Sequence, residues 1–369
     1  MNPNTSLSKP RVPDMVFMPA ALDACALYRM FIPHVHVTGS RYVFRRGKIV
    51  DTDFAGTEVA VVQRLGNESN LMALQIMQEA GCKVIYDLDD NLWAVPKYNP
   101  AKYMIDSMQA GFNTCASAAD LITVSTAGLK SAVEANLPKL KTPVLVVPNG
   151  IDLALFHKAP ERDSDSKIVV GYAGSNTHKE DVAQCWNVIG EALEGTNAVF
   201  ELIQSNVPVQ QVKMVGGIKV TTTVVQKDPN GVPRGLKEEQ LRIRPWIPVP
   251  EFAGQFSSWQ WDIALAPLED NRFNRSKSNI KMLEAAAVGA VCLASPVQPY
   301  LEFCEHHPAA KWLLCYTERQ WKEKLRTLIN DKDARLMYAD IIYRIAKNYY
   351  SADITARIWE DAAREVMMK

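Results

Sequence analysis

The chain has 369 residues, of which 47% are hydrophobic and 22% charged, and its 41 basic residues balance 41 acidic ones. A chain of this length is expected to form two domains, and its composition is that of an ordinary soluble globular protein. Zero net charge excludes a global electrostatic attraction to nucleic acid or to an acidic membrane, and no apolar stretch approaches the roughly 20 residues that a membrane span needs. The seven cysteines form no CxxC pair, which predicts reduced thiols in a cytoplasmic protein and no structural zinc site.

The first part of the sequence alternates short apolar runs with amphipathic segments, which is typical of a parallel sheet flanked by helices. The apolar runs predict strands at residues 15–18, 35–38, 59–63, 83–86, 121–125 and 144–147. The amphipathic segments predict helices at residues 26–33, 69–80, 102–119 and 126–135. Four basic residues lie from Arg41 to Lys48, where we expect a solvated hairpin, with a nucleic-acid contact as the alternative.

Three carboxylates, Asp87, Asp89 and Asp90, follow the strand at 83–86. Because carboxylates at one strand end repel one another, either their pKa values rise or a cation lies between them, which predicts a functional loop. The interpretations are a metal-binding Asp-x-Asp pair, a helix cap, the wall of a ligand-binding cleft, and a phosphatase loop of the haloacid dehalogenase type. The phosphatase would use Asp87 as nucleophile and Asp89 as acid, but the threonine expected after the second aspartate is missing.

A turn at residues 148–152 and a charged, proline-bearing linker at 158–167 mark a domain boundary, which we place between residues 1–150 and 151–369. In the second domain, strands are predicted at residues 168–172, 198–203, 261–267, 290–294 and 311–315. Helices are predicted at residues 182–193, 251–259, 276–288 and 318–330, and from 333 to the end. Residues 206–242 are less regular and predict an elaborated hairpin.

Two loops of the second domain are predicted to bind an anion. One follows the strand at 261–267 and enters a helix with candidate N-caps Ser276 and Ser278; its cations are Arg272, Arg275, Lys277 and Lys281. Because cations at a helix N-terminus oppose the helix dipole unless an anion lies between them, we infer a phosphate-bearing ligand; a solvated basic loop is the alternative. The other loop, after the strand at 168–172, offers backbone N–H groups to a diphosphate and contains Gly174, Ser175, His178 and Lys179.

The residues of the first of these loops, and of the helix that follows it, resemble a known signature. They run Pro267, Phe273-Asn274, Ser276-Lys277-Ser278, Ile280-Lys281, Leu283-Glu284 and Gly289. This order is similar to the donor-site signature of retaining glycosyltransferases of family 4, whose GT-B fold has two Rossmann-like domains facing across a cleft. In that family two glutamates with seven residues between them flank the nucleotide sugar. Glu284 matches the second, which holds the ribose hydroxyls, and Ser276 stands in place of the first.

Further motifs extend the resemblance over most of the chain. Tyr28-Arg29 followed by Pro33 is similar to an early motif of the family, which places Tyr28 and Arg29 on the acceptor side. Family relatives also carry a sequence similar to the loop at 86–93, as a wall of the interdomain cleft, and leave the first domain with a turn like that at 148–152. By the same resemblance, the C-terminal helix at 354–368 is expected to pack back on the first domain.

The resemblance implies an α/β protein of the GT-B type that moves a sugar from a nucleotide-diphosphate sugar, UDP-linked, to an acceptor with retention of configuration. The donor is expected to contact Gly174, Ser175, His178, Lys179, Trp246, Asn274, Ser276, Lys277, Ser278, Lys281 and Glu284, and the expected catalytic residues are Asp89, Asp90 and Lys277. No cofactor besides the donor is required, and a divalent metal remains an alternative. The acceptor is a glycan, a lipid-linked sugar, a protein or a modified DNA base, and no stable membrane insertion is expected.

Glu284 is the residue on which the functional hypothesis depends most. It interrupts the apolar stretch at 282–288, so its carboxylate needs a partner, which a ribose diol or a salt bridge to Lys277 or Lys281 would provide. Two rival functions remain. A non-catalytic protein that binds a nucleotide sugar or a glycan is suggested by the serine in place of the first glutamate, and the phosphatase based on Asp87 and Asp89 is the other.

Overall fold

The computed structural model describes residues 11–45, 49–158, 166–174, 178–204, 209–215, 218–224, 233–245 and 247–368. The chain divides into two compact units. The first consists of the chain up to Asp152, the short segment Arg275–Ser278 and the stretch from Tyr349 onward. The second consists of Leu153–Asn274 and Asn279–Asn348. Each unit is built on one parallel sheet.

The strands of the first sheet are β1 (Met15–Met18), β2 (Arg41–Tyr42), β3 (Val59–Gln63), β4 (Lys83–Leu88), β5 (Leu121–Val124) and β6 (Val144–Val146). Their order is β2-β1-β3-β4-β5-β6, with all pairs parallel. The strands of the second unit are β7 (Val169–Ala173), β8 (Val199–Gln204), β9 (Val209–Val215), β10 (Ile218–Val224), β11 (Leu241–Pro245), β12 (Ile263–Ala266) and β13 (Val291–Ala294). Five of them form a parallel sheet in the order β11-β8-β7-β12-β13.

The helices of the first half are α1 (Ala24–Ala26), α2 (Ile32–His36), α3 (Glu68–Glu79), α4 (Lys102–Ala118) and α5 (Ala127–Asn136), with a π-helical turn at Leu27–Phe31. The later helices are α6 (Lys179–Ala183), α7 (Trp186–Leu193), α8 (Val249–Ser258), α9 (Ile280–Ala287), α10 (Gln298–His306), α11 (Glu318–Asn330), α12 (Lys332–Tyr349) and α13 (Ala352–Met367). Within the described part of the chain, none of these helices combines the length and the apolar character needed to cross a membrane.

Several predicted elements differ from the structure. The strand predicted at 35–38 is wrong: Pro33 lies in the first turn of α2, where its fixed φ favours a helix, and the edge strand is β2 instead. The strand predicted at 311–315 is also wrong, because Pro308–Leu313 forms a 3₁₀-helix. Within residues 206–242, β9 and β10 pair as an antiparallel hairpin, whereas β11 joins the second sheet.

The first sheet is covered on both faces, as parallel sheets usually are. Side chains alternate along its strands, so Val16 of β1 packs into one apolar cluster and Phe17 into the other. The second cluster is closed by α13, whose buried residues include Trp359 and Ala363. The rings of Phe17 and Trp359 meet edge to face, with centroids 5.6 Å apart. The last helix therefore completes the core of the first unit.

The parallel strand order determines where the polar loops of each unit lie. In the first sheet, β1, β3 and β4 are neighbours, so the loops that follow them meet at one edge of the sheet. In the second sheet, β7 and β12 are neighbours, and the loops containing the two predicted anion-binding sequences follow these strands. These two carboxyl edges are where ligands bind in open α/β sheets.

Candidate functional site

At the carboxyl edge of the second sheet, Asp181 joins the two predicted anion-binding loops. Its Oδ2 lies 2.7 Å from Nδ1 of His178, beside the loop that follows β7. Its Oδ1 accepts a hydrogen bond of 2.8 Å from the side-chain amide of Asn274 and another of 2.8 Å from the backbone N–H of Glu269, both in the loop after β12. Asp181 is only 2% exposed. Of the predicted donor residues, His178 and Asn274 thus belong to one network.

Sequence reasoning did not single out Asp181. The available signal was an acidic residue in the first turn of α6, a common and therefore unspecific feature. Its partners come from a loop about 90 residues further along the chain, so only the tertiary structure shows the network.

Helix α9 carries two further predicted donor residues. The Lys281 ammonium donates a hydrogen bond to the carbonyl oxygen of Ala173 at the end of β7 and lies 5.4 Å from the centre of the Tyr172 ring. Glu284 lies one turn further along the same helix and is 8% exposed. The predicted N-caps are wrong: Ser276 ends a 3₁₀-helix, and α9 begins after Asn279, whose side chain makes no capping hydrogen bond.

Residues 275–278 lie in the first unit, although the chain on either side belongs to the second. Lys277 forms an ion pair of 3.0 Å with Asp90. The Ser276 hydroxyl accepts a hydrogen bond of 3.1 Å from the side-chain amide of Asn91, and the Ser278 hydroxyl accepts one of 2.9 Å from the side-chain amide of Asn149. Residues 276–278, which were predicted to bind the donor, are therefore held by side chains of the loop after β4 and by Asn149 of the turn at 148–152.

Gly128 explains how the segment 275–278 approaches helix α5 so closely. A Cβ atom at Gly128 would lie 2.8 Å from the backbone carbonyl oxygen of Arg275. The neighbouring Thr126, which caps α5, donates a hydrogen bond of 2.8 Å from its hydroxyl to the Ser276 carbonyl. Only glycine allows this backbone contact without a shift of one of the two segments.

Asp87, which was predicted to follow the strand but lies within β4, belongs to a buried ion pair with Arg29. The Arg29 guanidinium donates to both carboxylate oxygens of Asp87 at 2.6 and 3.1 Å, and the Thr123 hydroxyl donates at 2.7 Å. Arg29 also donates to Asn149 Oδ1 at 3.0 Å, and the neighbouring Tyr28 is buried as well. This environment argues against the phosphatase alternative, because a fully buried and paired Asp87 is not available as a nucleophile.

Asp89 has a different environment. The Arg64 Nε lies 3.4 Å from one of its carboxylate oxygens, and the terminal nitrogen of the same guanidinium pairs with Asp23 at 2.9 Å. Burial raises the pKa of Asp89, and the neighbouring carboxylate of Asp90 raises it further, while the Arg64 cation opposes both effects. Ligand atoms of Cys25, Asp89 and Asp90 all lie within 4.8 Å of one another, so these three residues could hold a metal ion.

The other residues predicted to bind the donor are described in part by the structure. Gly174 follows β7, and a Cβ atom there would lie 2.6 Å from the Tyr172 hydroxyl, so the loop needs a glycine at this point. Ser175, Trp246 and the side chain of Lys179 lie outside the described residues. The structure thus brings His178 and Asn274 together in the second unit, and Asp89, Asp90 and Lys277 together in the first.

The sequence matches no family model. It also matches no curated protein. Solved structures are similar in fold. HepE from Anabaena, crystallised with UDP-glucose, is 12% identical and superimposes with a TM-score of 0.62 over 96% of this chain and all of the other. An alpha-glucosyltransferase bound to UDP-glucose and DNA with an abasic site is 9% identical, with a TM-score of 0.64 over 95% of this chain and 99% of the other.

Sucrose-phosphate synthase from Thermosynechococcus elongatus is also similar in fold. It is 12% identical, with a TM-score of 0.59 over 97% of this chain and all of the other. At these identities the likeness concerns the fold. The predicted fold class is confirmed: two Rossmann-like α/β units with parallel sheets, the GT-B fold.

Proposed function

We propose that this protein is a glycosyltransferase that moves a sugar from a UDP-linked donor to an acceptor. The observation that carries the proposal is the network at the edge of the second sheet, where Asp181 fixes two loops beside the helix bearing Lys281 and Glu284. The comparisons support the choice of donor, because GT-B structures similar to this one hold UDP or UDP-glucose. Retention of configuration follows from the resemblance to family 4.

The diphosphate of the donor is proposed to bind between the loop after β7 and the start of α9. Lys281 places a positive charge beside the carbonyl end of β7, where it donates to the neutral oxygen of Ala173. The first turn of α9 adds backbone N–H groups and the positive end of the helix dipole. The backbone at Gly174 and the His178 side chain belong to the facing loop. Charge that develops on the leaving diphosphate is then stabilised by groups already in place.

The ribose of the donor is proposed to bind to Glu284. The carboxylate is almost fully buried on a helix whose other central residues are apolar, among them Met282, Leu283 and Ala285. The two neighbouring hydroxyls of a ribose can donate to both oxygens of such a carboxylate, and hydrogen bonds to an ionised group are the strong ones.

In the first unit, Asp89, Asp90 and Lys277 are the groups proposed to act in the transfer step. Residues 1–150 are proposed to serve the acceptor and residues 151–369 the donor, with 275–278 and the stretch from Tyr349 onward contributing to the first unit. Tyr28 and Arg29, proposed for the acceptor side, are both buried, and Arg29 is paired with Asp87, so their proposed role is to support that side and not to contact the acceptor. The acceptor classes remain a glycan, a lipid-linked sugar, a protein or a modified DNA base.

The Glu284→Ala substitution tests this proposal. Because a charge-assisted hydrogen bond contributes about 1.5–3 kcal/mol, the Kd for UDP should rise by about 10–150-fold in calorimetric titration. Glu305→Ala, at an exposed position of α10, is the matched control and should bind UDP like the unsubstituted protein. A lower melting temperature of Glu284→Ala with unchanged UDP affinity would reject the ribose-binding role.

Enzymatic activity needs its own measurement. The protein is incubated with UDP-, GDP-, ADP- and CDP-sugars, and hydrolysis of the donor is followed by mass spectrometry. We expect slow hydrolysis of a UDP-sugar and none of the other three classes. Tight binding of UDP-sugars without hydrolysis or transfer would favour the non-catalytic binding protein, and release of phosphate from simple esters would favour the phosphatase.

A further inference from the structure

Several buried polar atoms at the carboxyl edge of the first sheet are unsatisfied. Among the described residues, neither carboxylate oxygen of Asp89 receives a hydrogen bond from a nitrogen or oxygen donor, and the Nε–H of Arg64 has no acceptor; the nearby Cys25 thiol, a weak donor, lowers the pKa of Asp89 only in part. Asp89 is 9% exposed, and the Nε of Arg64 lies 3.4 Å from one of its oxygens without the direction of a hydrogen bond. An unsatisfied buried polar group costs about 1–3 kcal/mol, so a cluster of such atoms is expected to have an external partner.

The charges around these atoms limit what that partner can be. The carboxylates of Asp23, Asp89 and Asp90 face two cations, since Arg64 pairs with Asp23 and Lys277 pairs with Asp90. Counted over these five described side chains, the cluster carries one excess negative charge. An anionic group such as a phosphate would be repelled by it, which argues against an acceptor that places a phosphate or carboxylate at this position.

A metal ion explains only part of this arrangement. The ligand atoms of Cys25, Asp89 and Asp90 are close enough to share one, but Arg64 and Lys277 already place cations against both aspartates. A metal ion would also leave the Arg64 Nε–H without an acceptor. A hydroxyl group has the required properties, because it donates to a carboxylate and accepts from a guanidinium at the same time.

We propose that the acceptor is a neutral, polyhydroxylated molecule, namely a sugar, whose neighbouring hydroxyls bind to Asp89 and Arg64. This inference rests on the proposed function and selects one of its acceptor classes. One hydroxyl donates to a carboxylate oxygen of Asp89 and accepts from Arg64, and an adjacent hydroxyl reaches toward Asp90. The site opens to solvent through Asp23, Cys25 and Asp90, all three of which are partly exposed.

The test uses the UDP-sugar selected by the hydrolysis screen and two groups of acceptors. The neutral group contains methyl glycosides of glucose, galactose, mannose and N-acetylglucosamine; the anionic group contains a polyprenyl phosphate, a methyl glucuronide and a single-stranded oligonucleotide. Transfer is measured by mass spectrometry. We expect products from at least one neutral glycoside and none from the anionic compounds.

Two substitutions test whether transfer to the neutral glycoside depends on Asp89 and Arg64. Asp89→Asn should reduce transfer to the glycoside by about 100-fold, as expected for loss of a group that binds the reacting hydroxyl. Arg64→Lys keeps the cation that pairs with Asp23 but loses the planar Nε–H, so it should raise the acceptor KM about tenfold. Both should bind UDP like the unsubstituted protein. Asp106→Asn, at an exposed position of α4, is the matched control.

The outcomes separate this inference from the proposed function. If the UDP-sugar is hydrolysed but sugar is transferred only to anionic acceptors, or to none, the inference is wrong and the donor assignment stands. If UDP neither binds nor protects the second unit, the proposed function itself fails. Stoichiometric binding of Mn²⁺ or Zn²⁺ that is lost in Cys25→Ser, together with activity lost on chelation, would replace the sugar site by a metal site.

Discussion

A buried carboxylate lies at the carboxyl edge of each sheet, and the two differ in the hydrogen bonds that they accept. In the second unit, Asp181 receives a side-chain amide and a backbone N–H on one oxygen and pairs with His178 on the other. In the first unit, Asp89 is also buried, yet among the described residues its oxygens receive no hydrogen bond from a nitrogen or oxygen donor. Asp181 holds two loops in position, whereas the role that we propose for Asp89 is to bind the acceptor.

Asp87, at the end of β4, and Asp89, in the loop that follows, repeat this contrast. Both are buried, and they are two residues apart, but Asp87 is saturated by Arg29 and Thr123. Burial alone therefore does not separate a structural aspartate from a functional one. The distribution of hydrogen-bond donors around the carboxylate does.

The largest expected effect on stability and UDP affinity together is that of Asp181→Ala. The substitution leaves the buried N–H of Glu269 and the amide of Asn274 without their acceptor, and each such group costs about 1–3 kcal/mol. The free energy of unfolding, measured with urea, should fall by about 2–4 kcal/mol, and UDP affinity should fall at least about tenfold as the two loops separate. Glu180→Ala, exposed in the same helical turn, should change neither. Normal UDP affinity in Asp181→Ala would contradict the role of the network.

A smaller effect of opposite sign is expected for Asp89→Asn. The raised pKa of Asp89 means that the folded state disfavours the ionised carboxylate, so wild-type stability declines as the pH rises from about 4 toward the raised pKa. Removing the charge should leave the free energy of unfolding at neutral pH unchanged or higher by up to about 1 kcal/mol, because Arg64 keeps Asp23 as a partner. Asp87→Asn, which breaks a buried ion pair, should instead lose about 3–5 kcal/mol in the same urea titration. Equal losses in the two variants would remove the distinction between these aspartates.

The smallest effect concerns His36. Its titration makes a contribution to the pH dependence of stability that is distinct from that of Asp89. Its ring nitrogens lie 2.8 Å from Asp353 and 3.0 Å from Asp152; burial lowers its pKa, but these two carboxylates outweigh burial and raise it. The stabilisation is fully present below about pH 6.5 and is lost as the pH rises through the folded-state value. Since Asp353 is largely exposed, less than about 1 kcal/mol is involved.

The check is urea unfolding from pH 5 to pH 8.5 with His36→Gln. This variant should be less stable than the unsubstituted protein at pH 5.5 and nearly equal to it at pH 8.5. The slope that remains in the variant reports the other titrating groups, among them Asp89, His34 and His307. A pH dependence that His36→Gln leaves unchanged would show that the histidine pair contributes nothing.

Much of the fold could be predicted because its strands are short apolar runs with clear polar boundaries, as at 59–63 and 261–267. The errors have local causes. The β-branched pair around residue 35 resembles a strand, but Pro33 starts a helix there, and the 3₁₀-helix Pro308–Leu313 has no periodicity of its own by which to recognise it. The start of α9 was misplaced because two serines offered better caps than Asn279.

The candidate site could be predicted only in part. Lys281 and Glu284 follow from a continuous motif, which a sequence shows directly. Asp181 and Arg64 take part through neighbours distant in sequence, and whether a buried group has a hydrogen-bond partner is a property of the folded chain. The separation of Asp87 from Asp89 depends on Arg29 and Thr123, which a sequence does not place beside either one.

The packing of α13 on the first sheet has a consequence for biosynthesis. The strands β1 to β6 leave the ribosome early, but the apolar face that Trp359 covers stays open until the last helix has emerged. At about 5–20 residues per second, the roughly 200 residues between β6 and α13 keep that face exposed for about 10–40 s. The unit that is synthesised first is thus the one completed last, and its nascent form presents the kind of surface that chaperones recognise.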